Sequence, residues 1–453
     1  TREQDHWYNA WLELLGFKPK SNQHNKNFVL FDNGEKHFYW GQSGLIGDGL
    51  PNHKSNWQLI PGTYELKDGQ NSLSLQLQAE GTGGVKVVKT YTFHRGSYLI
   101  DVDYQLLNQG SASLQPGNAY FQLIRDGKPA DVGVSPIPGM SASTFTGPAV
   151  YTEGDKYQKV SFADIDKGKA KYATRANDGW IALVQHYFMT ACLPKGGTAR
   201  ESRIDKPYEN RYSAAVIVPF AAVPPGASAD LGVRLYAGPQ EQDKLKNIAP
   251  GLNIVVDYGW LAVIAQPIFW VMELIHRVVG NWGWSIILLT VLIKAAFFPL
   301  SATSYKSMAK MRLVTPKMTK LKELYGDDRA RLNQEMMELY KKEKINPLGG
   351  CLPILVQIPV FISLYWVLLG AVEMRNAPWL GWITDLSVRD PYFVLPLIMG
   401  ATMLIQTRLN PTPPDPMQAK VMQIMPIMFT AMFLFFPSGL VLYWVVNNTL
   451  SIA

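Results

Sequence analysis

A single lysine, Lys294, stands inside an otherwise apolar run that covers residues 284–300. Ten residues separate it from Trp284, about 15 Å of helix, which is roughly half the thickness of the hydrocarbon core of a bilayer. A cation at that depth costs about 2.5–3.5 kcal/mol, so we expect the side chain to face a polar cavity. Thr290 lies one turn earlier on the same face. A lysine that extends to the membrane surface is the alternative, and the distance from both ends of the run argues against it.

Other residue patterns that carry chemistry are missing from the sequence. The histidines are scattered, and no Cys/His spacing suits a metal site. The two cysteines, Cys192 and Cys351, fall in different halves of the chain, which argues against a disulfide framework. Neither a glycine-rich phosphate loop nor a G-x-S-x-G turn is present. We therefore expect no covalent catalysis, no metal and no cofactor.

The second half of the chain contains four apolar stretches: residues 284–300, 347–371, 391–407 and 421–453. The last stretch is longer than the roughly twenty residues that one membrane-crossing helix needs. Its Pro437-Ser438-Gly439 cluster favours the end of one helix and the start of another. The sequence therefore predicts five spans, with the last stretch divided into residues 421–436 and 439–453.

The loop between the first two spans, residues 302–346, carries an excess of positive charge. Its eleven lysines and arginines outnumber its six acids, and they include Lys306, Lys310, Arg312, Arg329 and Arg331. The loop at residues 372–390 has only two arginines. By the positive-inside rule the basic loop is cytoplasmic. The amino-terminal domain is then external, which in a bacterium means a multi-pass inner-membrane protein with a large periplasmic domain.

The basic loop is predicted to be a helical hairpin. Gly326-Asp327-Asp328 is a plausible turn between helices near residues 302–325 and 329–343. Five methionines supply an adaptable apolar stripe: Met308, Met311, Met318, Met336 and Met337. Two interpretations stay open, a simple solvated surface or a contact with the acidic surface of a ribosome or a nascent chain.

Two segments flank the predicted outer domain. Residues 1–26 show no signal or anchor, so we expect them to follow a lost first span or to be foreign or discontinuous. Residues 258–280 place Gln266, Glu273, His276 and Arg277 on one helical face and apolar side chains around the rest. That pattern suits an amphipathic helix in the membrane interface, and a helix packed on the outer domain is the alternative.

Residues 27–257 are predicted to form an all-β domain. Residues 72–78 alternate strictly between apolar and polar side chains, as do parts of 85–93 and 98–107. Further strands are predicted at residues 156–162, 179–191, 212–220 and 228–236. Many strands without alternating helices favour an antiparallel sandwich, with a helix at 240–248 leading out of it. Exposed aromatic residues could line a sugar or peptide cleft, or belong to the sandwich core.

Five motifs stand in these segments: Asp257-Tyr-Gly-Trp-Leu261, Gly280-Asn-Trp-Gly-Trp-Ser-Ile286, Ser307-Met-Ala-Lys-Met311, Asn346-Pro-Leu-Gly-Gly-Cys351 and Phe436-Pro-Ser-Gly-Leu-Val-Leu-Tyr443. They resemble the YidC-type membrane protein insertases of Gram-negative bacteria, in the YidC/Oxa/Alb family. The resemblance covers about residues 27–453. The family's first span and basic carboxyl tail have no counterpart in this sequence.

The resemblance implies a β-supersandwich followed by five core helices around a hydrophilic groove that is closed on its outer side. Lys294 stands where the family more often has arginine, which keeps the charge but loses bidentate recognition of carboxylates. By the same resemblance, the groove or its rim involves Thr290, Gln357, Phe435, Tyr443 and Trp444. An apolar slide on the third and fifth family spans is represented by Ile358, Phe361, Phe433 and Phe435.

The function implied by this resemblance is insertion and assisted folding of inner-membrane proteins, without catalysis. Expected partners are nascent inner-membrane proteins, the lipid bilayer, the ribosome, and the Sec translocon with its accessory subunits. No specific recognition of nucleic acid is expected. A transporter or channel remains an alternative, although no inverted repeat is visible. A membrane-anchored carbohydrate-active protein is another, and it would require paired carboxylates or a His–acid pair in a cleft.

Overall fold

The computed structural model describes residues 29–34, 37–127, 145–326, 328–343, 352–409 and 416–452. The amino-terminal segment 1–26 lies outside these residues, as do Cys351 and the predicted start of the second span at 347–351. At a few described helical positions, including Arg312 and Arg329, only the backbone is described. The bounds and contacts below refer to this part of the chain.

The outer domain is built from two antiparallel sheets. The first sheet has six strands in the order β1 (Asp32–Asn33), β2 (Phe38–Ile46), β7 (Gly117–Asp126), β14 (Arg211–Phe220), β13 (Arg200–Tyr208) and β10 (Arg175–Ala176). The second has nine, in the order β3 (Gln58–Leu59), β4 (Ser72–Glu80), β5 (Val85–His94), β6 (Leu99–Asn108), β15 (Ser228–Pro239), β12 (Phe188–Pro194), β11 (Trp180–Val184), β8 (Gly147–Thr152) and β9 (Lys156–Lys159). Buried side chains from both sheets form one core, among them Val87, Tyr104, Leu106, Phe121 and Leu123.

Two of the strand predictions are wrong in detail. The strand predicted over 179–191 is two strands, β11 and β12, because the chain turns at Gln185, whose N–H donates to the Phe188 carbonyl at 3.0 Å. The strand predicted over 156–162 ends at Lys159. Ser161 then accepts a hydrogen bond from the Asp164 N–H at 3.1 Å and caps a short helix, α1 (Phe162–Asp166).

The second half of the chain is helical. Helix α2 (Gln242–Ile248) leads out of the sandwich, and α3 (Ala262–Val279) ends at Gly280, whose φ of 71° suits a residue without Cβ. The remaining helices are α4 (Trp282–Ala296), α5 (Phe298–Tyr325), α6 (Arg329–Lys342), α7 (Leu352–Gly370), α8 (Val394–Leu409), α9 (Pro416–Phe433) and α10 (Ser438–Ile452). Within the described residues, Gly259–Val279 is the one helical stretch with the length and mean hydropathy, 1.4, to cross a membrane. Shorter apolar helices are Trp282–Ala296, Val356–Gly370, Val394–Leu409 and Lys420–Phe433.

The helix that carries Lys294 ends sooner than the sequence predicts. Helix α4 stops at Ala296, and α5 begins at Phe298 with a proline in its first turn. Pro299 has no N–H to donate and its ring crowds the preceding turn, so it starts a helix more readily than it continues one. The hairpin therefore begins at Phe298, four residues before the predicted start at residue 302.

Helix α10 runs beside α4 in the same direction and beside α7 in the opposite direction. At one end of the α4–α10 pair, a Cβ on Gly439 would lie 3.4 Å from Ile286, and at the other end Lys294 contacts Ser451. Along α7, Gln357 meets Asn447, Phe361 meets Tyr443, and Tyr365 meets Phe436. Helix α10 is thus surrounded by other helices, and Leu440, Val441, Leu442 and Tyr443 on it are buried.

The outer domain packs against the helical half through a continuous apolar cluster. The cluster includes Tyr236 and Leu245 from the outer domain, Phe269 and Met272 from α3, and Leu364 from α7. Polar contacts reinforce this junction. The Gln242 amide donates to the Tyr258 hydroxyl at 2.6 Å, and Arg277 pairs with Asp243 at 2.5 Å.

Candidate substrate groove

Lys294 lies in the last turn of α4 and is partly buried. Its Nζ donates to Ser451 Oγ on α10 at 2.8 Å, and that hydroxyl in turn donates to the Asn447 carbonyl at 2.7 Å. The prediction from sequence placed Lys294 in the middle of a span, whereas the structure ends the helix two residues later. A cation in this position also gains from the unpaired carbonyls at the carboxyl end of a helix.

Other polar side chains gather at the same end of the bundle. Gln357 on α7 donates its amide to Asn447 Oδ1 at 2.9 Å, and the Asn448 amide lies 3.4 Å from Thr402 Oγ1 on α8. Asn447 and Asn448 are 8% and 3% exposed. Lys294, Gln357, Asn447, Asn448 and Ser451, which we call the polar patch, therefore link three helices around α10.

Three members of the polar patch were missed at the sequence level: Asn447, Asn448 and Ser451. A signal was available, because two adjacent asparagines within an apolar stretch are costly in a membrane and usually functional. Thr290, by contrast, is 1% exposed, and its hydroxyl donates to the Ile286 carbonyl within α4 at 2.6 Å. Its hydrogen-bonding capacity is therefore used inside its own helix.

Aromatic side chains fill the bundle beside the polar patch. The Trp444 ring lies 4.9 Å from Phe361 and 5.7 Å from Phe433, and Tyr443 stacks on Phe361 at 6.2 Å. We call these four residues the aromatic cluster. Phe433 and Tyr443 are almost fully buried. Ile358 and Phe435, which the sequence grouped with them, are instead 44% and 61% exposed on the surface of the bundle.

The opposite end of the bundle is closed by the loop between α7 and α8. Ser438 and Gly439 at the start of α10 donate their N–H groups to Val388 and Leu386 carbonyls at 2.7 and 3.0 Å. Asp390 in this loop accepts from the Trp382 indole at 3.0 Å and from the Leu395 N–H at 2.7 Å. The loop between α7 and α8 therefore covers the end of the bundle that lies opposite the polar patch.

The hairpin of α5 and α6 has a small apolar interior. Val314 and Met318 are 4% and 3% exposed, and Met311, Met336, Leu339 and Tyr340 pack around them. Lys317 on α5 pairs with Glu343 at 2.6 Å. Lys306, Lys310 and Arg331 are exposed, so the hairpin presents its cations outward. The side chains of Arg312 and Arg329 lie outside the described residues.

The outer domain contains an aromatic cavity of about 440 Å³ between its two sheets. Trp40 and Phe93 are exposed at its wall, and the Gln42 amide donates to Gln122 at 2.7 Å. Asp32 is the one acid among the described residues that line it, so no carboxylate pair is formed by them. Nearby, burial lowers the pKa of Lys89 to about 8, and its ammonium lies 4.9 Å from the Tyr91 ring.

Metal-ligating residues are scattered in the structure. Within the described ranges, no group of three or more His, Cys, Asp or Glu side chains could hold a metal ion. The groove presents hydrogen-bonding and charged side chains. It provides a cation and amides at one end of an apolar helical bundle, with exposed apolar side chains close by.

A large antiparallel sandwich joined to apolar helices with a buried polar patch defines a multi-pass membrane protein with an external domain. Residues 11–271 match the YidC periplasmic domain, and residues 274–453 match the 60Kd inner membrane protein family. The first match begins within the segment 1–26. The chain belongs to the YidC family of membrane protein insertases. It is an inner-membrane protein whose sandwich is periplasmic, and the predicted fold class is confirmed.

Individual relatives are similar over almost the whole chain. The chain is 63% identical over 442 residues to the membrane protein insertase YidC of Aromatoleum aromaticum, covering 98% of this chain and 79% of the relative. Identity to the protein of the same name from Dechloromonas aromatica is 57% over 443 residues, with coverage of 98% and 79%. A crystal structure of an active YidC insertase with its first transmembrane domain resolved is 16% identical, with a TM-score of 0.46 and 98% of each chain covered.

Proposed function

We propose that this chain inserts membrane proteins into the bacterial inner membrane through the polar patch around Lys294. The observation that carries the proposal is the hydrogen bond of Lys294 Nζ to Ser451 Oγ, 2.8 Å, within the polar patch of a largely apolar bundle. Polar and charged side chains between membrane helices are costly to bury, so they usually mark a substrate site or a water-filled path. Family membership supports the same conclusion.

The polar patch shortens the distance that a polar segment must cross in hydrocarbon. A short hydrophilic segment of a client enters from the cytoplasmic end, where amides and an ammonium replace part of its hydration. Lys294 attracts acidic residues in that segment. The membrane potential then assists, because it contributes about 2.3 kcal/mol per elementary charge per 100 mV when negative charge moves outward.

The client's apolar helix follows a different route. Ile358 on α7 and Phe435 beyond α9 are exposed, and the aromatic cluster supports the helices behind them. An apolar segment that slides along this surface enters lipid without losing apolar contact, and its burial drives the transfer. The cycle makes and breaks no covalent bond, and the chain holds partly inserted clients as a chaperone.

Partners are proposed from surface chemistry. The exposed cations of the hairpin suit the acidic surface of a ribosome that delivers a nascent chain. We also propose that the chain acts both alone and beside the Sec translocon, with clients passing from that channel to the surface near Phe435. A carbohydrate enzyme is less well supported, since the described lining of the sandwich cavity holds one acid. A transporter is less well supported because the sequence shows no inverted repeat.

The test is insertion of a small single-span client into liposomes that contain the purified chain. Lys294→Ala should slow insertion of a client with an acidic translocated segment about fivefold, the effect of roughly 1 kcal/mol of lost attraction. A matched client with a neutral segment should be affected less. Lys294→Arg is the control and should behave like wild type, because charge and depth are kept. Equal loss for both clients would contradict the electrostatic role of Lys294.

A further inference from the structure

A second cavity, separate from the groove, lies on the outer side of the membrane half. It occupies about 300 Å³ where α3 ends, α4 begins, and the loop after α7 returns. Its wall includes Glu373 and Arg375 from that loop, His276 from α3, and Asn281 and Trp282 from the start of α4. We call it the outer pocket. The proposed insertion mechanism does not use it.

Glu373 is the unusual member of the outer pocket. Its Oε2 is shielded from solvent and has no hydrogen-bond partner among the described residues. The pKa of this carboxyl is raised to about 7, chiefly by burial and also by the acids Glu241 and Glu273, against backbone hydrogen bonds that lower it. Glu373 Oε2 is therefore a hydrogen-bond acceptor that no described side chain or backbone group uses.

The same pocket also has groups that suit an anion. Arg375 is exposed, with its guanidinium 5.8 Å from the Tyr187 ring and 5.5 Å from the Phe188 ring, which fixes its position. His276 stacks on Trp282, with ring centroids 3.9 Å apart. A ligand that satisfies both sides carries a hydrogen-bonding cation and an anion.

The position of the outer pocket points to a lipid as the source of such a ligand. Helix α3 and the turn before it carry an exposed apolar face made of Trp260, Val263, Trp270, Leu274 and Val278. Trp284 and Trp382 are also exposed near the start of the bundle, 44% and 41%. Indole rings concentrate at the level of lipid headgroups. Trp284 and Trp382 are close in sequence to the pocket residues Trp282 and Pro378, so these two indoles favour a depth for the outer pocket at which headgroups are found.

We propose that the outer pocket binds the phosphoethanolamine headgroup of phosphatidylethanolamine from the outer leaflet. Its ammonium donates hydrogen bonds to Glu373, and its phosphate faces Arg375 and His276. Phosphatidylcholine has no N–H to donate, and phosphatidylglycerol has no cation, so neither meets both requirements. The bound lipid links α3, the start of α4 and the loop after α7, because all three line the outer pocket.

Binding depends on pH, because a proton competes with the ammonium for Glu373. The titratable and charged groups around this carboxyl are Glu241 from the outer domain, Tyr258 from the turn before α3, Glu273 and His276 from α3, and Arg375 from its own loop. Only the ionised carboxylate pairs with the ammonium, so affinity rises as pH increases through about 7. Without lipid the sign is reversed. The raised pKa of Glu373 stabilises the folded chain at low pH. This stabilisation is lost as pH rises from the pKa of the carboxyl in the unfolded chain through its pKa in the folded chain.

The full chain in nanodiscs tests this proposal, with thermal unfolding and native mass spectrometry as readouts. At pH 8, adding phosphatidylethanolamine to a phosphatidylcholine background should raise the unfolding temperature and give retained lipid, and at pH 6 both effects should shrink. Glu373→Gln should reduce retention at least about fivefold at pH 8. Glu338→Gln, an exposed acid on α6, is the matched control and should change nothing.

Two further arms separate the outcomes. Arg375→Gln should also weaken retention, and soluble glycerophosphoethanolamine should compete with the lipid, since the headgroup supplies the contacts. Equal retention of phosphatidylethanolamine and phosphatidylcholine by wild type would overturn the proposal, and so would preferential retention of phosphatidylglycerol. Unchanged retention by Glu373→Gln, or retention that does not rise between pH 6 and pH 8, would overturn it as well. Insertion activity is not the readout, so a failure here leaves the role of Lys294 intact.

Discussion

Asn447 is the residue that joins the two parts of the polar patch. Its side-chain oxygen accepts from Gln357 at 2.9 Å, and its carbonyl accepts from Ser451, which also holds Lys294. A buried polar group without a partner costs about 1–3 kcal/mol, whereas a satisfied pair costs little. Asn447 therefore allows a polar surface to exist among membrane helices.

At the residue scale we predict that Asn447→Leu destabilises the chain by about 1–3 kcal/mol, because the Gln357 amide loses its acceptor. Thermal unfolding in detergent measures the change. The double variant with Gln357→Leu should recover part of the loss, since both polar groups are then gone. Asn333→Leu on the exposed face of α6 is the control. If the double variant loses more free energy of unfolding than the two single variants lose together, the paired hydrogen bond is not the cause.

At the scale of elements, the apolar side chains of the hairpin lie between its two helices and the charged side chains lie on its outer surface. The apolar residues of α5 and α6, with Val314 and Met318 at the centre, face each other and hold the pair together. Among the described side chains, Lys306, Lys310 and Arg331 are exposed on the outside of the pair. The few apolar contacts inside indicate a locally unstable unit that opens more readily than the sandwich.

The corresponding prediction concerns ribosome binding. Neutralising Lys306, Lys310 and Arg331 with glutamine should reduce cosedimentation with ribosomes about tenfold at low salt, and the wild type should lose the same contact as salt rises. Helix content measured by circular dichroism should not change, because these side chains lie outside the packed interior. Glutamines at Lys67, Lys169 and Lys171 in the outer domain are the matched control. Unchanged cosedimentation would show that the hairpin cations do not bind ribosomes.

The elements that could be predicted from the sequence are those whose apolar and polar residues alternate along the segment itself. Strands β4, β5 and β6 alternate apolar and polar side chains, and they were found from that pattern. Strands β8 and β11 are buried along their whole length, so they show no alternation, and neither was predicted as a separate strand. Lys294 was evident as a cation in an apolar run. Its partner Ser451 was not, since that contact depends on how α4 and α10 align across the bundle.

At the scale of the whole molecule, the two ends of the bundle differ in chemistry. The polar patch lies at the hairpin end, while hydrogen bonds between the loop after α7 and the start of α10 close the periplasmic end. Under the proposed mechanism, a polar segment enters from the cytoplasm without opening a continuous pore. The orientation of the chain in the membrane decides which compartment each end faces.

Orientation is tested by cysteine labelling in a background with Cys192→Ser and Cys351→Ser. We predict that Lys320→Cys on α5 is labelled only from the cytoplasmic side and Leu380→Cys only from the periplasmic side. Both side chains are exposed, so burial does not limit the reaction. Reversed labelling would contradict the topology and with it the insertion mechanism.

The helices of the bundle differ in how easily they bend, because only some of them contain an internal proline. Pro359 in α7 and Pro426 in α9 interrupt the backbone ladder, and their carbonyls accept from Ser363 and Thr430 at 2.8 and 2.7 Å. A helix bends most easily where a proline removes a hydrogen bond. Helices α4 and α10 have no such interruption. Bending α7 and α9 to widen the groove would therefore cost little energy. We expect clients with bulky helices to leave between these two helices. Lys294 would not move, because it is on α4.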